Sequence, residues 1–220
     1  MALQLYAHPF SSYCQKVLIA LYENAIPFEV RLLGPGPDSE KIAAEFAERW
    51  PLRKMPVLVD AGRTVVEATI IIEHLQLFHP GRVRLLPDDA RAALDVRTLD
   101  RFFDNYVMTP MQKIVGDAIR KPEQRDPQGV SDARALLDTS YRWLDGEMKG
   151  REWAVGGFSL ADCAAAPSLF YADWAHPIDE TFPNLLAYRR RLLARPSFAR
   201  AVDEARPYRQ FFPLGDPGRD

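Results

Sequence analysis

Ser11-Ser12-Tyr13-Cys14 follows a short alternating run, Leu3-Gln4-Leu5-Tyr6-Ala7, that His8-Pro9 breaks. Hydroxyls at such a point can start a helix. A helix N-terminus carries roughly half a positive charge and several unpaired N–H groups, so it stabilises an anion. A hydroxyl held there can also donate a hydrogen bond to a thiolate. Lowering a thiol pKa from about 8.5 to about 6.5 takes roughly 2.7 kcal/mol of preferential anion stabilisation. The helix end supplies about 0.3–1 kcal/mol, and a hydrogen bond to a charged acceptor about 1.5–3 kcal/mol. Together they suffice; neither does so comfortably alone. The competing reading makes one serine a plain helix cap.

Two further positions carry chemistry. Proline in Met55-Pro56-Val57 removes a ladder donor before a strand, marking an edge, a strand start or a cis bond. A cis bond would turn the backbone N–H and C=O of Met55 outward, ready to pair with an extended peptide-like ligand; an ordinary turn proline fits equally. Glu67-Ala68-Thr69 opens a helix whose first N–H groups could hold a carboxylate, with Glu67 placed to receive an ammonium. Alternatively, Glu67 only complements the helix dipole. Cys14 and Cys163 are too few for a disulfide framework and fit a reducing compartment. Cys14 reads as a small buried hydrophobe. His74 and His79 read as helix-surface residues, His176 before Pro177 ends a helix, and His8 lies near the proposed thiolate site. No metal-ligand spacing and no phosphate loop appear.

Positioning these residues requires a first half that alternates strand and helix. Tyr13 to Asn24 reads as a helix, Pro27 to Leu32 as a strand, and Ser39 to Trp50 as a more polar helix. Val57-Leu58-Val59 and Thr64-Val65-Val66 flank a hairpin signal at Asp60-Ala61-Gly62-Arg63. Glu67 to Phe78 is the third helix, which predicts the order βαβαββα. After Pro87 the pattern turns helical throughout. Leu99, Phe102, Phe103, Tyr106, Val107 and Ile114 form one stripe, and Leu136, Leu137, Leu144 and Met148 mark a second helix. Leu160 to Trp174 is almost wholly apolar and therefore central, and shorter helices follow at 185–193 and 198–205. The fold class is α/β plus all-α, with residues 1–80 as the first domain and 88–220 as an all-helical second.

The 220 residues are 47% hydrophobic and 26% charged, enough to bury a core. A net charge of −2 gives no reason to expect a nucleic-acid partner. Arg189-Arg190-Arg191 reads as a solvated helix face. Neither a leader nor a membrane-length apolar stretch appears, so a cytoplasmic location is expected.

In order and spacing these features resemble the glutathione transferase superfamily over nearly the whole chain. Ser11-Ser12-Tyr13-Cys14 falls where thioredoxin-fold relatives carry Cys-x-x-Cys, and serine first looks like the serine-type theta and zeta classes. The resemblance implies a thioredoxin-like first domain, glutathione as co-substrate with no metal, and Ser11 stabilising the glutathione thiolate, with Ser12 as the neighbour that could substitute. It implies a cis Pro56, Met55 pairing with the cysteinyl unit, Glu67 and Ala68 at the γ-glutamyl end, and Lys54 at the glycyl carboxylate. It also implies a C2 homodimer and a buried capping box at Ser159 and Asp162. Three departures stand out: Ala68 where family members usually have serine, Arg53 where they have glycine, and Tyr13 within the zeta-type signature.

Met and aromatic side chains suit varied apolar ligands. Tyr106 and Met111, with His8, are therefore expected to line a pocket for a small hydrophobic electrophile. The resulting expectation is a detoxification-type transferase in which the glutathione thiolate attacks that electrophile. A non-catalytic scaffold of the same fold, or a glutathione-dependent isomerase or dehalogenase, are the alternatives.

Overall fold

The computed structural model describes residues 3–220. Its first half is a four-stranded sheet of β1 (Leu3–Ala7), β2 (Phe28–Leu32), β3 (Val57–Asp60) and β4 (Arg63–Val66), in the order β2-β1-β3-β4. β1 and β2 run parallel across the helix α1 (Ser12–Glu23), whereas β3 is antiparallel to both β1 and β4. α2 (Ser39–Arg49) covers one face, where only its Phe46 is buried, beside Tyr6, Val57 and Val59. α1 and α3 (Ala68–Phe78) cover the other face. The observed order is the expected βαβαββα, thioredoxin-like in arrangement.

Helices make up the remainder. α4 (Ala90–Phe102) runs through a π-helical segment, Phe103–Met108, into α5 (Thr109–Ala118). α6 (Pro127–Glu147), α7 (Leu160–Ala175), α8 (Pro183–Ala194) and α9 (Pro196–Ala205) follow. Every residue of α7 is buried, as its apolar composition requires. α7 packs on α1, so the two halves share one hydrophobic core. Among the described residues, the only β pairing after β4 is an isolated Val155–Gly157 bridge. No helix among them is long and apolar enough to cross a membrane.

The arginine run corrects the reading of a solvated face. Arg190 is exposed, but Arg189 is buried and pairs with Asp173 at 3.1 Å. α8 lies against α7, so its inward face carries this arginine to a buried partner.

Candidate active site

A cleft of about 1010 Å³ opens between the first-half elements and the α4–α5 segment. Ser11 lies at its edge as the N-cap of α1, in extended conformation (φ −87°, ψ 123°). Its Oγ accepts from the Cys14 N–H at a long 3.4 Å, a weak capping bond made through an oxygen lone pair, and the hydroxyl also lies beside the Cys14 thiol. Ser12, one residue on, is buried and does not line the cleft. Neighbouring side chains fix the approach to Ser11. The fully buried Gln15 donates to the Pro9 carbonyl at 3.0 Å and to the Tyr171 hydroxyl at 3.1 Å, tying the loop to α7. Burial pushes the Cys14 thiol up to about 11, against hydrogen bonds from Ser11 and the His8 backbone, so it stays neutral. Cys163 is also buried and free.

On the facing wall, the Met55–Pro56 peptide is cis and both residues line the cleft. Lys54 and Arg53 flank them, both exposed. Arg53 has φ 50°, a left-handed conformation that favours glycine and costs another residue about 1–2 kcal/mol. Glu67, the residue before α3, has φ 68° and makes no side-chain cap bond. Such backbone outliers cost of order 1–3 kcal/mol and cluster at binding sites. Its exposed carboxylate stands at the cleft beside the first N–H groups of α3, at Ala68 and Thr69.

A buried ionic network forms the cleft floor. Lys16 of α1 reaches Asp100 at 2.6 Å and Asp104 at 2.8 Å, and donates to Thr69 Oγ1 at 3.0 Å. Thr69 in turn donates to Asp100 at 2.9 Å, and Arg101 pairs with both carboxylates. Buried Lys16 and half-exposed Arg101 together pair the two buried carboxylates, so the network holds α1, α3 and the π-helical segment together. Burial raises the Asp104 carboxyl above its ordinary value, with Lys16 opposing. Burial first, then the Asp104 charge, raises the Tyr13 phenol, which stays protonated and faces the cleft as a donor.

The arrangement presents an anion-stabilising helix start opposite a second helix start, with cations along one rim. The family description "Glutathione S-transferase, N-terminal domain" matches residues 5–82, and "Glutathione S-transferase, C-terminal domain" matches residues 122–191. A probable glutathione S-transferase of Oryza sativa subsp. japonica is 30% identical over 203 residues, covering 86% of this chain and 83% of the relative. The chain belongs to the glutathione S-transferase family of enzymes. A probable maleylacetoacetate isomerase of Drosophila melanogaster is 26% identical, covering 92% of this chain and 88% of its own. The crystal structure of a glutathione S-transferase from Methylobacterium radiotolerans, in complex with glutathione sulfonate, superposes with a TM-score of 0.78. It is 30% identical and covers 92% of this chain and 95% of that one.

Of the residues singled out by the family resemblance, Ser11, Lys54, Met55, Pro56, Glu67 and Ala68 come together around one cleft. The three expected at the electrophile pocket do not line it. His8 packs edge-on against Tyr208 at 4.5 Å and accepts the Phe10 N–H at 3.1 Å, so it braces the loop before Ser11. Tyr106 is half-exposed, its ring tilted against Phe102 at 5.1 Å, and Met111 is core. From the helices beyond Phe103, Asp104, Asn105 and Gln112 line the cleft.

Proposed function

We propose that this chain binds glutathione in the cleft and that Ser11 stabilises its thiolate for attack on a small electrophile. One observation carries the reading: Ser11 combines a helix N-terminus with a weakly engaged hydroxyl, beside a cleft bearing cations at one end and a helix start at the other. The glycyl carboxylate would meet Lys54 and Arg53. The cysteinyl backbone would pair with Met55, and the γ-glutamyl end would meet Glu67 and the N–H groups of residues 68 and 69. A backbone N–H remains at Ala68, which tempers the loss of a serine hydroxyl there. The protein does little covalent chemistry; it lowers a pKa and places two reactants together.

Asp104, Asn105 and Gln112 on the opposite wall favour an electrophile with hydrogen-bonding groups over a purely hydrophobic one. That polar wall, with the likeness to a probable maleylacetoacetate isomerase, favours as a second reading glutathione-dependent isomerisation by the same thiolate.

Calorimetric titration with reduced glutathione, followed by thiolate absorbance of the complex against pH, tests both readings. Saturable binding with a thiol pKa below that of free glutathione is the expected result. No binding at millimolar glutathione would leave the scaffold reading in its place.

The reading includes a homodimer, the first half of one subunit facing the helices of the other. Ile70, Leu77 and Phe78 on α3 and Leu94 on α4 are exposed apolar side chains that such an interface could cover. Light scattering should give twice the 25.0 kDa chain mass; a monomer at micromolar protein would remove the dimer.

A further inference from the structure

We propose that Asp60, His74 and His79 form a binding site for a divalent transition metal, separate from the glutathione cleft. The three residues come from two elements that the fold brings together. Asp60 ends β3 at the hairpin turn, His74 lies within α3, and His79 caps its C-terminus with its own N–H bonded to the Leu75 carbonyl at 2.8 Å. Both imidazole Nε2 atoms converge on one carboxylate oxygen, His74 at 2.9 Å and His79 at 2.7 Å from Asp60 Oδ2. The three ligand atoms all lie within 4.8 Å of one another. None of these residues lines the cleft.

The donor set selects the class of ion. Two imidazoles and one carboxylate suit Zn²⁺ and its first-row neighbours rather than Mg²⁺ or Ca²⁺, which prefer oxygen throughout. A tetrahedral ion about 2.0–2.1 Å from each ligand holds the ligand atoms roughly 3.3 Å apart. Each histidine therefore has to withdraw from the carboxylate by only about half an ångström, within the reach of side-chain rotation. With neutral imidazoles the trio carries one negative charge, which a cation offsets. Binding needs each imidazole to present a bare Nε2, so its proton sits on Nδ1; the change is one of tautomer, with no proton lost.

The surroundings suit a structural site with one open position. His74 is 9% exposed and packs on the Phe78 ring at 4.6 Å, which fixes its plane. His79 is 31% exposed and leaves a route for the ion and for a water as fourth ligand. The bound ion would staple the end of α3 to the β3–β4 hairpin. Sequence spacing conceals the site: the two histidines are neither at a helical i,i+4 interval nor near Asp60 in the chain.

The test is titration of chelator-treated full-length protein with ZnCl2, read by calorimetry, and with CoCl2, read by visible absorption. One equivalent of Zn²⁺ should bind, and cobalt should show the intense bands of a tetrahedral site. Loss of even an outer-sphere partner typically costs 10–100-fold in affinity, so His79→Ala, at a partly exposed position, should weaken binding by at least about tenfold. His176→Ala, which removes a histidine paired with Asp138 elsewhere, should change nothing. Absence of saturable binding up to millimolar Zn²⁺ would overturn the site, as would equal binding by His79→Ala. Thermal melting of His79→Ala without metal checks that the variant is folded.

Discussion

Ser11→Ala is expected to lower the rate of glutathione conjugation by about 10- to 100-fold near neutral pH, while glutathione affinity changes little. The lost hydrogen bond to a charged acceptor is worth about 1.5–3 kcal/mol, and each 1.36 kcal/mol is about tenfold in rate. On the proposed binding mode affinity should hold, because the tripeptide ends would be gripped elsewhere, by the rim of Lys54 and Arg53 and by the start of α3. The sign of the pH dependence identifies the mechanism. In the proposed role the hydroxyl favours the thiolate and so would lower the thiol pKa; without it the pKa should rise and the rate profile should move to higher pH. The two enzymes should converge in alkali, where the thiol is ionised without help. Loss of a helix cap could mimic part of this effect, but the capping bond is long at 3.4 Å. Ser11→Gly separates the two, because glycine costs an N-cap only a few tenths of a kcal/mol. Glycine and alanine variants should be equally slow. Ser12→Ala, at a buried position off the cleft, should keep the parent profile. An unshifted profile in Ser11→Ala would remove Ser11 from the reaction.

What could be read from the sequence were features carried by a few consecutive residues. Ser11 precedes a helix, Pro56 precedes a strand and Glu67 precedes a helix, and each leaves a local trace in turn chemistry and periodicity. The apolar run from Leu160 likewise dictated a central helix. What escaped was set by distant partners. Lys16 and Asp104 are 88 positions apart, and nothing near either one says that they share a buried bond. Gln15 looks like an ordinary helix residue until Tyr171 reaches it across 156 positions. His74 passed for a surface residue because its partner sits on a strand. The stripe after Leu99 misled in another way: Phe103, Val107, Met111 and Ile114 pack into the core, and Asp104, Asn105 and Gln112 line the cleft. A polar wall therefore stands where Tyr106 and Met111 were expected.

Asp162→Ala is expected to destabilise the fold by about 4 kcal/mol, an exceptional loss for one substitution. The carboxylate is fully buried and serves four donors. Oδ2 accepts the Ser159 N–H at 2.8 Å and its hydroxyl at 2.9 Å; Oδ1 accepts the Ala154 N–H at 2.9 Å and the Tyr188 hydroxyl at 2.6 Å. The expected capping box is thus present, the Ser159 side chain facing the N3 backbone and the Asp162 side chain the N-cap backbone. The Ser159 hydroxyl also donates to the carboxylate. One side chain thereby joins the start of α7, the loop before it and α8. Alanine strands all four donors, each costing about 1–3 kcal/mol when left buried and unpaired. Entry of water and relaxation of the loop keep the total well below the sum. At roughly 2–4 °C per kcal/mol for a chain of this size, melting should fall by about 10 °C. Asn at this position keeps one acceptor oxygen but turns an NH2 toward donors, so Asp162→Asn should lie between the parent and alanine. Urea unfolding at one fixed protein concentration checks the order, since association would otherwise shift the apparent stability. A loss under about 1 kcal/mol, the scale of a single ordinary hydrogen bond, would mean that the four donors find other partners and that α7 is held by its apolar packing alone.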